Sequence, residues 1–476
     1  MLKRIGAEES GEFKAIASGT LPSGKPVVVN ADGTVSVVSQ TSVTEAIGST
    51  AVFESAETDR IASTFDSSNN KVVIAYRDVG NSGHGTAIVG TIDSSDNSIT
   101  FGSPTVFQSS NVNSFLSATF DSTNNKVIFA YQEATSGQGY AVVGTVSGTS
   151  ISFGSSVMFD DSSQGGKESS ITFDSNAGKP VIAYQDGGNS NYTTAIVCTV
   201  SGTSISFGTK VVVESGSTTH VHITFDSTNN KVVIPYRVSG MGKAKVGTVS
   251  GTSISFGSDQ NFSGGNDAQN TFAVFDSTNG KVVLAYTDAS DSNKGKVVIG
   301  TVSGTSISFG SAVEFEAGST SEIGMAYDSS AGKIVIAYRD AGNSNYGTYI
   351  VGTVSGTSVS FGSATVFETA YSQRIAVTYD SNANRTVISY QDVGNSQYGT
   401  SRVLRNASTT NNITSENYIG MSKGGAVANT KGATVDIIGS VNDEQSGLTP
   451  GQQYFVQNDG TIGTTAATPS VLAGTA

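Results

Sequence analysis

One phrase recurs seven times in this chain: an aromatic residue, Asp and Ser, a polar turn, a basic residue, and an apolar run ending in Tyr. The aromatic-Asp pairs are Phe65-Asp66, Phe120-Asp121, Phe173-Asp174, Phe225-Asp226, Phe275-Asp276, Tyr327-Asp328 and Tyr379-Asp380. They are 55, 53, 52, 50, 52 and 52 residues apart. A period of about 50 residues, built only from short β runs and turns, is typical of β-propeller blades. We therefore predict an all-β fold, a seven-bladed β-propeller of four-stranded blades.

Each repeat contains four predicted strands, here named A to D. In the first repeat, strand A covers residues 61–65, strand B 71–76 and strand C 86–92, and strand D begins at 98–101. Strands B and C are apolar on both faces, which favours a sheet packed between neighbouring sheets. We expect the glycines in the middle of strand C to let adjacent blades approach closely; they are Gly90, Gly144, Gly247, Gly300 and Gly352.

The two chain ends are predicted to complete the last blade. The seventh repeat ends near Arg405 without a strand D, whereas residues 44–55, before the first repeat, resemble the strand D segment at 362–368. The N-terminal strand would therefore supply the outer strand of the last blade and remove an open edge. The predicted domains are an N-terminal β attachment segment (1–44), the propeller (45–405) and a C-terminal β attachment segment (406–476).

The segments outside the repeats resemble each other. Residues 18–35 and 446–462 each read as a Pro/Gly turn, an apolar strand, an Asp-Gly hairpin turn and a second strand. We expect them to form a small β module from the chain ends. We also expect its apolar strands, 27–29 and 454–456, to be exposed and to pair with another chain, so that the protein is a homo-oligomer or binds an assembly partner.

Composition excludes several classes of function. Asp and Glu total 39 against 26 Lys and Arg, giving a net charge of −13, so nucleic acid is not an expected partner. No run of about 18 apolar residues occurs, so no membrane span is predicted. Met1 to Glu9 lack the apolar core of a secretion signal. The single cysteine, Cys198, stands where other C strands carry Gly and is predicted to be a buried thiol.

The ends of the chain and the repeats carry a family resemblance. Residues 417–422, 447–462 and 469–476 resemble the ends of tailed-phage fibre and virion appendage proteins, and the repeat at 327–340 is similar to repeats in fibre-like proteins of marine phages and cyanophages. The resemblance implies a phage virion structural protein, assembled in the host cytoplasm and released extracellularly. It implies host attachment, contact with other virion proteins through the terminal segments, and no catalytic residue.

The residues themselves do not predict an enzyme or a cofactor. The chain has no Trp, and the Ser-x-Asp-x-Gly-x-Thr-Trp box of sialidases is absent. The seven Asp residues of the repeated phrase occur in every repeat, which indicates hairpin residues that accept backbone N–H groups. The basic residue after each turn is assigned to the same turn chemistry.

Two further patterns raise the question of metal binding. Four strands B end in Asp-x-Gly-Asn-Ser, beginning at Asp78, Asp186, Asp340 and Asp392. Oxygen-rich loops can hold Ca²⁺, but the same residues form a plain turn, which we favour, so no metal ligand is predicted. His220 and His222 share one face of a strand without a Cys partner. We expect surface polar residues there.

The loops between strands D and A and between B and C differ among the repeats, whereas the other turns are nearly identical. Both variable sets are expected on one face, where a rigid scaffold carries binding residues; neutral drift of surface loops is the alternative. The candidate binding residues are Arg60, Arg77, Tyr192, Arg339, Tyr346, Tyr371, Arg374 and Tyr398. They would contact a host surface glycan or protein, and the alternative function is a carbohydrate-binding, lectin-type propeller outside any particle.

Overall fold

The computed structural model describes residues 11–476, and within that range the fold is all-β. Besides strands it contains three one-turn 3₁₀ helices, Val79–Asn81, Gly187–Asn189 and Val393–Asn395. The described chain divides into two compact parts. We call residues 45–406 the repeat domain, and residues 11–44 with 407–476 the terminal module. No helix in the described range is long and apolar enough to cross a membrane.

Strands B and C of every repeat form an antiparallel pair, as in the first repeat, where Val72 pairs with Gly90 and Tyr76 with Thr86. The B strands are Lys71–Asp78, Lys126–Glu133, Lys179–Asp186, Lys231–Val238, Lys281–Asp288, Lys333–Asp340 and Arg385–Asp392. The C strands are His84–Asp93, Gly139–Ser147, Tyr192–Ser201, Met241–Ser250, Lys294–Ser303, Tyr346–Ser355 and Tyr398–Arg405.

Strand D begins with a short piece that forms a hairpin with strand C. These pieces are Ser98–Phe101, Ser150–Phe153, Ser204–Phe207, Ser253–Phe256, Ser306–Phe309 and Ser358–Phe361. The rest of strand D continues into strand A of the next repeat. At four junctions the two form one long strand: Ala51–Asp66, Thr105–Asp121, Val313–Asp328 and Thr365–Asp380. At the other three junctions the strand is interrupted. Its pieces are Val157–Asp160 and Lys167–Asp174; Val211–Glu214, Thr218–Thr219 and Thr224–Asp226; and Gln260–Asn261 and Ala268–Asp276.

The long strands connect one repeat to the next. Thr105–Asp121 pairs with strand C of the first repeat through Thr105 and Ala87, and with strand B of the second through Phe120 and Val127. The N-terminal strand Ala51–Asp66 pairs in the same way with the seventh strand C, where Val52 is opposite Thr400, and with the first strand B. Just before it, Ala46–Ile47 pairs with Leu404 and Arg405.

The core of the repeat domain lies between neighbouring repeats. The Tyr that ends each apolar run of strand B is buried in all seven repeats, at 1% exposure or less. One core cluster combines Val73 and Ala87 with Phe129 and Val142 from the next repeat, and another combines residues of the first and seventh repeats. This packing explains why strands B and C are apolar on both faces.

The glycine after each of the first five short strand D pieces lies very close to the backbone of the next repeat. A Cβ at Gly102 would lie 1.9 Å from the carbonyl oxygen of Thr149, in the C–D turn of the next repeat, and Gly154, Gly208, Gly257 and Gly310 stand in the same relation to the repeats that follow them. The strand C glycines were assigned this role wrongly. A Cβ at Gly90 would meet Ile99 and Phe101, on strand D of its own repeat.

The terminal module is built around a five-stranded sheet in the order Glu12–Ile16, Gly432–Ile437, Tyr418–Lys423, Pro26–Val29 and Val35–Val37. Gln40–Val43 pairs with Ser408–Asn411, and Gln453–Val456 lies between Ile462–Gly463 and Leu472–Thr475. The prediction that the apolar strands 27–29 and 454–456 would be exposed is wrong, because three of their six residues are buried and the other three are half-buried. Val27, Val28 and Val456 are buried, because sheets contributed by both chain ends pack on them.

The two Asp-Gly hairpins contribute to the same part of the terminal module. Val28 and Val38, from the first hairpin region, share a core cluster with Val456 and Val471 from the second. A Cβ at Gly460 would lie 2.2 Å from the carbonyl oxygen of Val38. The two segments with similar sequences therefore pack against each other in the terminal module.

Candidate functional site

A cavity of about 500 Å³ is lined by strand A of all seven repeats. Its wall includes the residue that lies five positions before the aromatic residue of each repeated phrase. We call these seven residues the bulge ring: Arg60, Phe115, Glu168, His220, Asn270, Glu322 and Arg374. The adjacent wall is largely apolar and includes Ile61, Leu116, Val221, Ile323 and Ile375.

A local backbone irregularity creates the bulge ring. Six of its members have left-handed φ angles, from 48° at Asn270 to 56° at Arg374. In the first repeat the strand A–B register shifts between Asp59 and Ala62, which leaves Arg60 as the extra residue of a β-bulge. Left-handed φ is uncommon for residues other than Gly. Since the same conformation occurs with Arg, Glu, His and Asn, the strand geometry sets it and the side chain is free to vary.

Side chains at the cavity also satisfy backbone groups of the next repeat. The Glu168 carboxylate accepts a hydrogen bond from the Val221 N–H at 3.1 Å, and Glu322 accepts one from the Arg374 N–H at 3.0 Å. Burial raises the pKa of Glu168, and hydrogen bonds from the backbone N–H groups of Val221 and His220 oppose the rise. These two bulge-ring carboxylates therefore link neighbouring repeats as well as lining the cavity.

Three arginines meet on one side of the cavity. Arg374 Nε lies 2.6 Å from Asp59 Oδ1, and Arg60 Nε and Arg77 Nη1 each lie 3.3 Å from Asp59 Oδ2. Arg374 Nη1 is also 3.5 Å from Glu322 Oε1. Burial lowers the pKa of Arg60, and repulsion from Arg374 and Arg77 adds to this against the attraction of Asp59. We call Arg60, Arg77 and Arg374 the arginine cluster.

A pair of histidines lies on another part of the wall. Burial lowers the pKa of His220 to about 4 and that of His222 to about 3. The His222 ring lies 4.0 Å from the Phe272 ring, and its Nδ1 accepts a hydrogen bond from the Ala273 N–H. The expectation that both histidines are surface polar residues is therefore wrong. Both histidines are half-buried at the cavity wall, and this environment favours their neutral form.

The predicted binding residues fall into separate groups. Arg60 and Arg374 line the cavity, and Arg77 joins them through Asp59. Arg339 donates a hydrogen bond to the Tyr371 hydroxyl at 2.6 Å and stacks on its ring, and Tyr346 pairs with Tyr371 in the sheet. Tyr192 and Tyr398 begin strands C of the third and seventh repeats, half-buried, and are not among the residues that line the cavity.

The variable loops are adjacent, as the argument for a common face requires. The Thr58 N–H, in a D–A loop, donates to the carbonyl oxygen of Gln397, in the B–C loop of the preceding repeat. Thr218 with Asn191 and Thr320 with Asn293 repeat this contact. The D–A and B–C loops of neighbouring repeats therefore contact each other at these three junctions.

The repeated aspartates are hairpin residues, as predicted. Asp66 Oδ1 accepts hydrogen bonds from the Ser68 and Asn69 N–H groups at 2.9 and 3.1 Å. The assignment of the following lysines to the turn is wrong for four repeats. Their side chains donate instead to a threonine on strand C, and these lysines are Lys71, Lys179, Lys281 and Lys333. In the Asp-x-Gly-Asn-Ser loops the aspartates accept turn N–H groups, as Asp186 does from Gly188 and Asn189.

Sequence reasoning missed most of the bulge ring. Phe115, Glu168, His220, Asn270 and Glu322 were not chosen as candidates, although they share one position relative to the repeated aromatic residue. Aligning the seven copies on that residue would have shown a position whose chemistry varies widely next to a nearly constant turn. That contrast was the available signal.

Comparison with known proteins bears on the fold. No family model and no curated protein matches the sequence. The structure is similar to the BP39L lectin from Burkholderia pseudomallei, with a TM-score of 0.52 and 8% identity over 75% of this chain and 98% of the lectin. It is also similar to the Cps50 (Swd1) β-propeller domain of Myceliophteria thermophila, with a TM-score of 0.46 and 8% identity over 75% and 99%. The fold is all-β, and its structural neighbours include a lectin and a β-propeller domain. At such identity the likeness extends to the fold alone.

Proposed function

We propose that the chain is a structural or appendage protein of a bacteriophage virion, in which a closed seven-bladed propeller presents the cavity and its surrounding loops to a host surface or a virion partner. The protein acts by binding, without catalysis or a cofactor. The terminal module attaches it to other virion proteins. The virion assignment rests on the resemblance of the chain ends and the repeats to phage fibre and appendage proteins.

Two regularities support a closed ring of seven blades. The strand Ala51–Asp66 stands between the seventh and first repeats as Thr365–Asp380 stands between the sixth and seventh. The glycine contact recurs at the same junction, since a Cβ at Gly48 would lie 1.8 Å from the carbonyl oxygen of Asn97, in the first C–D turn. Both contacts support a ring in which each repeat has a neighbour on both sides.

The observation that carries a binding role is the bulge ring. Its backbone conformation is nearly constant, but its members include cations, anions, a neutral histidine, an amide and a phenyl ring. A position maintained only for folding would be expected to keep one chemistry, as the turn aspartates do. A cavity of about 500 Å³ is within the size range of ligand sites in proteins.

The surface of the terminal module supports an attachment role. Ile438 and Val441 are 67% and 86% exposed, and both border a second cavity of about 310 Å³ next to the C-terminal strand Leu472–Thr475. Exposed apolar side chains beside a sheet edge favour pairing with another chain. A cyclic homo-oligomer is the arrangement we expect.

Immunogold electron microscopy tests the virion assignment. Particles of the phage that encodes this chain, labelled with an antibody against the repeat domain, should carry gold at a fixed position. Particles without label, with the protein present only in the lysate, would contradict the proposal.

Light scattering tests the oligomeric state. The purified chain should have the mass of an oligomer, and Val441→Asp should reduce that mass to the mass of the monomer if the terminal module forms the interface.

Binding to host cells tests the role of the cavity separately. The purified chain should bind host cells, and changing Asn270 and Glu322 to Ala together should weaken binding. Arg237→Gln is a suitable control, because Arg237 pairs with Asp267 and does not line the cavity. Binding to a broad glycan array without any label on particles would instead favour the lectin alternative.

A further inference from the structure

The arginine cluster has more positive charge than the carboxylates around it neutralise. Three guanidinium groups contact the Asp59 carboxylate. The only other carboxylate in these ion pairs is that of Glu322, which contacts Arg374. The side chains of Arg60 and Arg374 are each 27% exposed and line the cavity. The three guanidinium groups thus share two carboxylates, in a protein whose net charge is −13. The other carboxylate of the cavity wall, Glu168, accepts the Val221 N–H instead.

Other arginines on the same loops are satisfied within the protein. Arg237, which occupies the position of Arg77 in the fourth repeat, bonds both carboxylate oxygens of Asp267, through Nε at 2.5 Å and Nη2 at 3.0 Å. Arg339, at the same position in the sixth repeat, bonds Ser321 and stacks on Tyr371. Each of these has its own neutral or anionic partner. Arg60 and Arg374 instead share Asp59 with Arg77, which also donates to Asn111 Oδ1 at 2.9 Å. This leaves guanidinium N–H groups of Arg60 and Arg374 available to a ligand.

We propose that the arginine cluster binds the anionic group of an acidic surface saccharide, a carboxylate, sulfate or phosphate, whose sugar ring occupies the cavity. This inference rests on the proposed function and names the class of ligand for the same site. The guanidinium fork matches the oxygens of such groups and forms strong, charge-assisted hydrogen bonds with them. Asn270 and Glu168, elsewhere in the bulge ring, carry amide and carboxylate groups that pair with sugar hydroxyls.

The apolar wall suits the rest of the ligand. Ile61 and Ile375 adjoin Arg60 and Arg374 in sequence, and Phe115 belongs to the bulge ring. The C–H groups of a sugar ring pack against such side chains while its acidic group faces the arginines. A neutral sugar would fill the same space but leave the excess guanidinium charge without a partner.

Isothermal titration calorimetry on the full chain tests the proposal. The probes are an acidic oligosaccharide that contains glucuronate, its neutral counterpart that contains glucose, inorganic sulfate and inorganic phosphate. The glucuronate oligosaccharide should bind at least about tenfold more tightly than its neutral counterpart. Its binding should weaken as salt is raised from 50 to 300 mM, because part of the site is open to solvent. If sulfate or phosphate binds and the glucuronate oligosaccharide does not, the arginine cluster is still an anion site, and the anionic group of its ligand is that sulfate or phosphate.

Variants connect the binding to the arginine cluster. Arg60→Gln with Arg374→Gln should lower affinity for the bound anion by at least about tenfold, Arg60→Lys should retain part of it, and Arg237→Gln should leave it unchanged. A thermal melt identifies any variant that fails to fold. If the double variant does not fold, the affinity of Arg60→Lys for the anion, expected to be reduced but not lost, becomes the test. Equal affinity for acidic and neutral probes, unchanged affinity in the double variant, or no binding of any anion would overturn the proposal. Immunogold labelling of particles does not depend on these results, so the two proposals can fail separately.

Discussion

The glycine after each short strand D provides a sensitive test of how the repeats pack. Gly208 and Gly362 occupy equivalent positions in the third and sixth repeats, and neither has a left-handed φ. A Cβ at Gly208 would lie 1.9 Å from the carbonyl oxygen of Thr252 in the following C–D turn. A Cβ at Gly362 would meet only the carbonyl oxygen of Val351 at 3.8 Å, because the seventh repeat has no C–D turn. The same substitution, Gly to Ala, should therefore have opposite effects at the two positions.

The expected magnitudes follow from these distances. Gly208→Ala must push the two repeats apart by more than about 1 Å, and overpacking of this kind costs typically about 1–3 kcal/mol. Gly362→Ala meets no obstacle and reduces the freedom of the unfolded chain, which stabilises by about 0.4–1 kcal/mol. The two variants should thus differ by about 1.5–4 kcal/mol in free energy of unfolding. For a domain of this size that is a difference of roughly 2–5 °C in melting midpoint.

Differential scanning calorimetry and urea denaturation of both variants measure the difference. Gly48→Ala is the informative third variant, because Gly48 contacts Asn97 where the seventh repeat meets the first. If the ring is closed, Gly48→Ala should destabilise as Gly208→Ala does. Equal midpoints for Gly208→Ala and Gly362→Ala would refute the packing argument. A Gly48→Ala variant as stable as the wild type would refute closure alone.

Three further outcomes are expected. Asp226→Ala should lower the free energy of unfolding by about 3 kcal/mol in urea titration, because three turn hydrogen bonds to its carboxylate, at about 1 kcal/mol each, are lost. Burial and the Glu316 carboxylate raise the pKa of Asp340, so its ionised form weakens the fold. Asp340→Asn should therefore stabilise at pH 7, and the gain should vanish as the pH falls below the ordinary aspartate pKa of 3.8, where the wild type is protonated in both states. Burial lowers the pKa of His222 from 6.5 to about 3. Between these two pH values His222 is protonated in the unfolded chain and neutral in the folded chain. Stability should fall as the pH drops below about 6.5, and His222→Gln should reduce that loss between pH 7 and 5 in urea titrations.

The strand pattern was readable from the sequence because its causes are local. The repeated aspartate accepts N–H groups two and three residues ahead, so Asp66 and its equivalents identify each A–B hairpin without knowledge of the rest of the fold. The apolar runs of strands B and C reflect burial on both faces. The match of residues 44–55 to strand D segments likewise located a strand that pairs with the seventh strand C.

Features that depend on contacts between repeats were not readable in the same way. Gly90 and Gly102 are both repeated glycines, and nothing local distinguishes a glycine that faces its own strand D from one that faces the next repeat. The burial of His222 depends on Phe272, 50 residues further along the chain. Likewise, Val27 and Val456 seemed free only because the strands that cover them come from the opposite end of the chain.

The bulge ring explains how one scaffold can carry a changeable site. A left-handed φ costs a residue other than Gly about 1–2 kcal/mol, and it is hardest for β-branched side chains. The six left-handed members are Arg, Glu, His, Asn, Glu and Arg, with no Val, Ile or Thr among them. The backbone thus restricts this position by shape and leaves its charge open. A substitution such as Asn270→His should change which ligand the cavity accepts with little change in the fold, because His220 already has this conformation, whereas Asn270→Val should destabilise it. Separating shape from charge in this way lets each repeat contribute a different group to a common cavity.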